Sequence, residues 1–583
     1  MVAPALPRRW RGLTPPTSTD ALGWAVTLLL AVAVIAPLAA VVLQVAFPGL
    51  LFGQQTVGDA ASLADLWQRP LWRVSLRNSL VLATGTALLG TLLGAGLALV
   101  RATWSFRGQQ LVDVMAWTLI VMPSFVIAQG WVLFASSSGF AVEVLGWDLV
   151  PRVVLSPAGL IVVMSLVNFP YAYLAVRAAL HWDVDDLTSA ARLSGATPLR
   201  AFLQVRAPLL RPAVLAGGLL VFCDTIGDFG LPAALSSVYR FPTLPYTIYA
   251  AVRTAPVRFD QAGLLSLVLV LILAAAIALQ LRATRRTSFD FLTARARPIE
   301  QLRPRLAGML TAAVLLLSFW ALVVPVGTSL YVSVAERIGG GLRLDNLTLS
   351  HYVAVLADGS MLLEGAWRSL AIAGFAALVA APLGFASCYL LVFSTFRLRR
   401  LIDVTSTAAL AVPGVILGVG SIFVWNQRWL EPIGLALYGE PSLLVLAGVA
   451  GAVPLTVRVQ LGAFSQVPAS FLDAAALQGA PLRSRLRSIV LPLTLSALLS
   501  ALLAAFGASV FDLAVATLLQ PTGFPLLPTT IVSEFNFGRY GYATAGTLVG
   551  GALTVAAILA VGAAVRWRFR AWLHREVDRP IPA

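Results

Sequence analysis

The chain has 583 residues, 59% of them hydrophobic and 11% charged, with a mean hydropathy of +0.86. That composition excludes a water-soluble globular protein, which would need far more polar surface to cover its cores. The formal net charge is +15 with no lysine at all, so every one of the 41 basic residues is arginine. A phosphate-binding loop that needs its lysine is therefore excluded, and ATP hydrolysis is not expected of this chain. The arginines are dispersed in short loops between apolar runs, which fits membrane topology rather than a nucleic-acid groove.

In chain order, an N-terminal tail (residues 1–20) carries Arg8, Arg9 and Arg11 and precedes an apolar run at 22–46. That run is longer than the core of a signal peptide, so the reading is a retained first transmembrane helix. Further apolar stretches follow near 79–100, 111–135, 157–180, 212–230 and 261–282. A second series lies near 307–332, 369–393, 402–426, 441–464, 493–517 and 541–565. Spans in lipid must satisfy their own backbone hydrogen bonds, which predicts an all-α polytopic membrane protein of about twelve helices. Short alternating segments, the mark of a β-barrel, are absent from the sequence. With both termini cytoplasmic, most of the arginines fall in cytoplasmic loops, as the positive-inside rule asks. The densest cluster comprises Arg282, Arg285, Arg286, Arg295, Arg297, Arg303 and Arg305, and it marks a linker at 284–305 between two halves. The expected domains are a first repeat at 21–283, a second at 306–566 and a cytoplasmic tail at 567–583.

The halves align at an offset near 284. Ser189-Ala190-Ala191 and Gly195 match Asp473-Ala474-Ala475 and Gly479; Pro208 matches Pro492, and Asp228 matches Asp512. Phe241-Pro242-x-Leu244-Pro245-x-Thr247-Ile248 recurs as Phe524-Pro525-x-Leu527-Pro528-x-Thr530-Ile531. Six spans per half, an even number, give a parallel repeat about a pseudo-two-fold axis along the membrane normal. The seam between such halves is a natural solute pathway. Cys223 and Cys388 are far apart in apolar runs, and His181, His351 and His574 form no motif, so no metal or catalytic site is expected.

The loops at 183–208 and 467–492 are the most informative segments. The second reads Asp473-Ala474-Ala475, three residues, Gly479, nine residues, Ile489-Val490-Leu491-Pro492. The first reads Ser189-Ala190-Ala191, three residues, Gly195, nine residues, Val205-Arg206-Ala207-Pro208. Small residues let a partner surface approach the helix closely, and each glycine permits the turn between two short helices. Each proline suits the first turn of the next membrane helix. The pattern resembles the Glu-Ala-Ala…Gly signature of ABC-importer permeases, in which this helix-turn-helix lies in a groove of an ATPase subunit.

Within that family the chain looks most like fused ferric-iron permeases, through Asn168-Phe169-Pro170-Tyr171 and Gly227-Asp228-Phe229-Gly230-Leu231-Pro232. Thiamine permeases are fused in the same way and share a similar Gly-Asp-Phe-Gly stretch, and aminoethylphosphonate and polyamine importers lie nearby. The resemblance implies a binding-protein-dependent importer subunit in a bacterial inner membrane, working by alternating access. It implies two ATPase partners that hold ATP and Mg, a solute-binding protein on the outer face, contact with lipid, and no cofactor or catalytic residue in this chain. A gradient-driven secondary transporter would share the spans and the repeat but leaves the doubled loop unexplained. Asp224, Asp228, Phe229 and Asp512 are the candidates for a pathway or outer gate, because ionisable groups within a bilayer are costly. Asp228 and Asp512 fit a helix cap equally well. Pro123 and Pro413 are expected to kink the third spans, and Gly90, Gly94 and Gly96 to pack the second.

Overall fold

A computed structural model describes residues 18–48, 68–180, 185–232, 241–285, 306–408 and 412–577. The N-terminal arginines, His181, most of the 284–305 linker and residues 578–583 lie outside the described residues. The first half comprises α1 (Thr19–Ala46), α2 (Pro70–Thr103), α3 (Gln109–Val121), α4 (Ser124–Ala135) and α5 (Pro157–Leu180), then α6 (Asp185–Leu193), α7 (Phe202–Gly227), α8 (Leu244–Arg253) and α9 (Phe259–Arg285). The second repeats the plan with α10 (Ala307–Val334), α11 (Met361–Phe393), α12 (Arg399–Ala408), α13 (Gly414–Trp425) and α14 (Pro441–Ser465). It ends with α15 (Ala469–Leu477), α16 (Leu482–Val510), α17 (Leu513–Leu519), α18 (Leu527–Asn536) and α19 (Tyr540–Val577). No β-strand occurs among the described residues, only an isolated bridge between Ala335 and Leu347.

Among the described residues, eleven helices are long and apolar enough to cross a membrane, and Gln109–Val121 and Gly414–Trp425 are shorter apolar helices. The third and ninth predicted spans are not single kinked helices. Pro123 and Pro413 adopt extended backbone, with ψ of 137° and 143°, and separate α3 from α4 and α12 from α13. A proline holds the residue before it out of the helical region, so the chain restarts rather than bends.

Four other prolines are accommodated differently. The π-helical segments Ala31–Ile35, Phe319–Val323, Phe202–Arg206 and Leu486–Val490 end two residues before Pro37, Pro325, Pro208 and Pro492 respectively. A proline ring collides with the carbonyl four residues back and offers no N–H, a cost of about 3 kcal/mol in a regular helix. Each of these segments contains that carbonyl, and the wider π turn moves it aside. Pro208 and Pro492 therefore sit inside continuous helices and do not begin them, a correction to the reading from sequence.

The first helix of each half packs on the opposite half as well as on its own. The C-terminal part of α1 packs on α13, and that of α10 packs on α4. At the crossings, a Cβ on Gly130 would strike the backbone carbonyl of Pro325, and one on Gly420 the carbonyl of Pro37. Gly94 brings α2 equally close to the backbone of α5 at Phe169 and Tyr173, while Gly90 is looser and nothing lies within 4 Å of a Cβ at Gly96. The expectation of packing thus holds for Gly94 and fails for Gly96.

The hydrophobic cores show which end is shut. Phe125, Ile226, Phe229 and Leu244 of the first half share one core with Val415, Val510, Leu513 and Leu527 of the second. At the end carrying α6 and α15 the cores are separate. One joins Phe106, Leu180 and Leu210 to Val314 of α10; the other joins Phe396, Leu472 and Val490 to Val26 of α1. The halves are closed together at one end and parted at the end that bears the repeated loops.

Gly130→Ala and Gly420→Ala are each expected to destabilise the purified chain by about 1–3 kcal/mol, since their Cβ atoms meet backbone that cannot rotate away. Gly96→Ala and Gly374→Ala, which face open space, should be neutral or slightly stabilising. Thermal unfolding in detergent, followed by size-exclusion fluorescence, checks all four.

Candidate functional site

The two loops have the same backbone. Gly195 (φ +88°) and Gly479 (φ +77°) take the left-handed conformation after α6 and α15. In the first loop Ala196 N–H donates to Ala191 O and Gly195 N–H to Arg192 O, each at 3.0 Å. In the second, Ala480 N–H donates to Ala475 O and Gly479 N–H to Ala476 O, also at 3.0 Å. This pair of bonds is a Schellman closure, which needs a residue at positive φ and so favours glycine. A second short helix then leads through the π turn into α7 or α16. Leu472 and Leu482 are buried and tie the second loop to the core beneath it.

The outer surface of each loop presents alanine and one conspicuous leucine. Ala190 and Ala474 are exposed, Ala191 and Ala475 half-buried, and Asp473 is exposed. Leu193 and Leu477, equivalent in the repeat, are each 90% exposed. Leaving a leucine in water forgoes about 1.5–3 kcal/mol of burial. Two equivalent leucines at the tips of two equivalent loops are exposed apolar points repeated in the two halves. Sequence reasoning missed them; their position two residues before the turn glycine was the available signal.

The candidate pathway residues fall at the junction between the shut and parted ends. Asp228 ends α7, accepting bonds from Ser124 Oγ at 2.8 Å and Gly230 N–H at 2.9 Å. Asp512 caps α17, accepting from Val515 N–H at 3.0 Å. Both carboxylates bond within their own half. Between the halves at this level, a Cβ on Gly227 would stand 2.7 Å from the Pro413 ring, and the rings of Phe125 and Phe511 lie 6.2 Å apart. Phe229 is buried against Tyr249, with ring centroids at 5.2 Å. One turn below this layer Asp224 is exposed and accepts a hydrogen bond from Tyr171 Oη at 3.0 Å. The equivalent position on α16, Ala508, is exposed as well. The second half has Leu455 and Ala508 where the first has Tyr171 and Asp224, so this acidic, hydroxyl-bearing surface belongs to one half only.

The repeated Phe-Pro-x-Leu-Pro element does start a short helix in each half, with Pro245 in the first turn of α8 and Pro528 in that of α18. Each is held by a serine of the second span. Ser79 Oγ accepts from Leu244 N–H at 2.8 Å, and Ser369 Oγ from Leu527 N–H at 2.9 Å.

Residues 88–284 and 359–579 match the family described as binding-protein-dependent transport system inner membrane component. The matched regions leave out α1 and α10, the two exchanged helices. The ferric transport system permease protein FbpB of Actinobacillus pleuropneumoniae is 24% identical over 86% of this chain and 72% of its own length. An ABC transporter permease protein of Sinorhizobium fredii, y4fN, is 24% identical over 88% and 89%. The molybdate/tungstate transport system permease protein WtpB of Pyrococcus abyssi is 29% identical over 32% of this chain and 71% of its own. Two matched regions covering most of the chain, on a doubled helical plan, make this a multi-pass membrane protein of the binding-protein-dependent permease family.

Proposed function

We propose that this chain is the membrane-spanning subunit of an ATP-driven importer, with ferric iron as its cargo. The observation that carries the reading is the pair of identical glycine-closed loops, each ending in an exposed leucine. Two separate ATPase subunits, which hold the ATP and Mg, take α6 and α15 into their grooves. A solute-binding protein delivers cargo at the opposite, shut end. The chain sits in the bacterial inner membrane with both termini in the cytoplasm, and the parted end faces the cytoplasm. Closure of the ATPases draws the loops together, shuts that end and parts the layer formed by Gly227, Pro413, Phe125 and Phe511. Hydrolysis resets it.

The cargo assignment rests on the name of the FbpB relative and on the chemistry of Asp224 and Tyr171. Carboxylate and phenol oxygens are hard donors suited to a trivalent cation, and an exposed carboxylate disfavours an oxyanion. Uptake of radiolabelled iron and of molybdate, in proteoliposomes containing the chain, its ATPase and its binding protein, separates the two. Uptake of molybdate but not iron overturns the cargo. Iron uptake that follows a proton or sodium gradient and ignores ATP overturns the mechanism.

Gly479→Glu is expected to abolish ATP-driven uptake, and Gly195→Glu to reduce it less, because the second loop keeps an acid at Asp473 where the first has Ser189. Equal losses would show that this difference carries no functional weight. Leu477→Asp should weaken ATPase binding at least tenfold, in line with the about 1.5–3 kcal/mol of burial at stake, read by co-purification or surface plasmon resonance.

Asp224→Asn should cut iron uptake severalfold and leave ATPase binding unchanged. Asp228→Asn and Asp512→Asn should instead lower thermal stability by about 1 kcal/mol through the lost caps. If Asp224→Asn transports iron normally, the passage does not use that carboxylate.

A further inference from the structure

The start of α1, the end of α11 and the start of α16 enclose an open cleft of about 600 Å³. Its floor is apolar, from Ala21, Leu22, Ala25 and Phe385, and its rim carries Arg483 and Arg487. The two arginines are four residues apart on one stretch of helix, and both are exposed. Neither has a carboxylate partner among the described residues, and Asp20, the neighbour of Ala21, pairs with neither. Ala21 stands in the first turns of a span that begins at Thr19. Arg483 and Arg487 likewise stand in the first turns of the span Leu482–Val510, with apolar wall running from them along both helices.

We infer that this cleft holds one anionic phospholipid. Its headgroup phosphate bridges Arg483 and Arg487, and its acyl chains lie along Leu22, Ala25 and Phe385. Guanidinium groups bind phosphate through paired hydrogen bonds, and basic clefts between membrane helices select anionic headgroups. The volume falls in the range of about 300–1,000 Å³ typical of ligand sites. The N-terminal segment is a poor occupant, because its Arg8, Arg9 and Arg11 repeat the charge already present. An ATPase is a poor occupant as well, because the floor belongs to membrane-spanning helix. The repeat supplies an internal control. The first-half equivalents of Arg483 and Arg487 are Leu199 and Leu203, so one site per chain is expected.

The test is native mass spectrometry of the full-length chain purified from phosphatidylcholine bilayers doped with phosphatidylglycerol. One phosphatidylglycerol per chain should be retained in preference to phosphatidylcholine, and millimolar inorganic phosphate should not displace it. R483Q/R487Q should lower its retention at least fivefold, R483K/R487K should restore part of it, and R282Q should leave it unchanged. Ala25→Trp, which fills the floor and keeps both charges, should also release the lipid. Unchanged retention in R483Q/R487Q overturns the proposal. So does an Ala25→Trp chain that loses ATPase binding while keeping the lipid, which would make the cleft a protein contact.

Discussion

The architecture depends on backbone meeting backbone at two crossings, Gly130 on Pro325 and Gly420 on Pro37. Apolar helices gain little from touching each other in lipid, since the lipid tails are as apolar as their side chains. What selects one arrangement is how closely two helices approach. Glycine lets the partner carbonyl lie where a side chain would otherwise stand. Because each crossing joins a first helix to the opposite half, neither half completes its core alone. The pair of crossings fixes the halves about one axis, and the shared core at one end with separate cores at the other is the state this produces. A clasp with one free end suits the alternating access proposed above.

The same proline geometry serves both the clasp and the loops. A π turn precedes Pro37 and Pro325 in the exchanged helices, and Pro208 and Pro492 where the loops re-enter the membrane. A π turn gives up regular hydrogen bonding for width, and such turns recur at functional sites. In α7 and α16 it separates the exposed loop from the segment carrying Asp224 or Ala508. On the mechanism proposed above, displacement of a loop would reach the passage through a turn that is already irregular.

The parts legible in the sequence are those set by local rules. Apolar length gave the spans, the offset gave the repeat, and glycine four residues beyond the alanine pair gave the turns at Gly195 and Gly479. Pro245 and Pro528 stand in the first turns of α8 and α18, where a missing N–H costs least. What stayed hidden depends on neighbours. A helix that is apolar all round carries no stripe to say what it faces, so the exchange of α1 and α10 had no sequence signal. Gly94 and Gly96 look alike in sequence and differ only in what lies opposite. Leu193 and Leu477 passed as ordinary apolar residues, because exposure is a property of the fold.

The halves share several features that hold them together and differ at the surface bearing Asp224. The clasp glycines, the capping serines Ser79 and Ser369 and the end carboxylates Asp228 and Asp512 all occur twice. Tyr171 and Asp224 occur once, opposite the apolar Leu455 and Ala508. Two identical subunits would place carboxylates on both walls of a narrow passage, where like charges raise the cost of each when no cation is present. Fusion into one chain removes that obligation. A single carboxylate on one wall can meet a cation without holding it between two, and passage requires a contact that is weak enough to leave. At this surface the asymmetry avoids a symmetric pair that would bind too well.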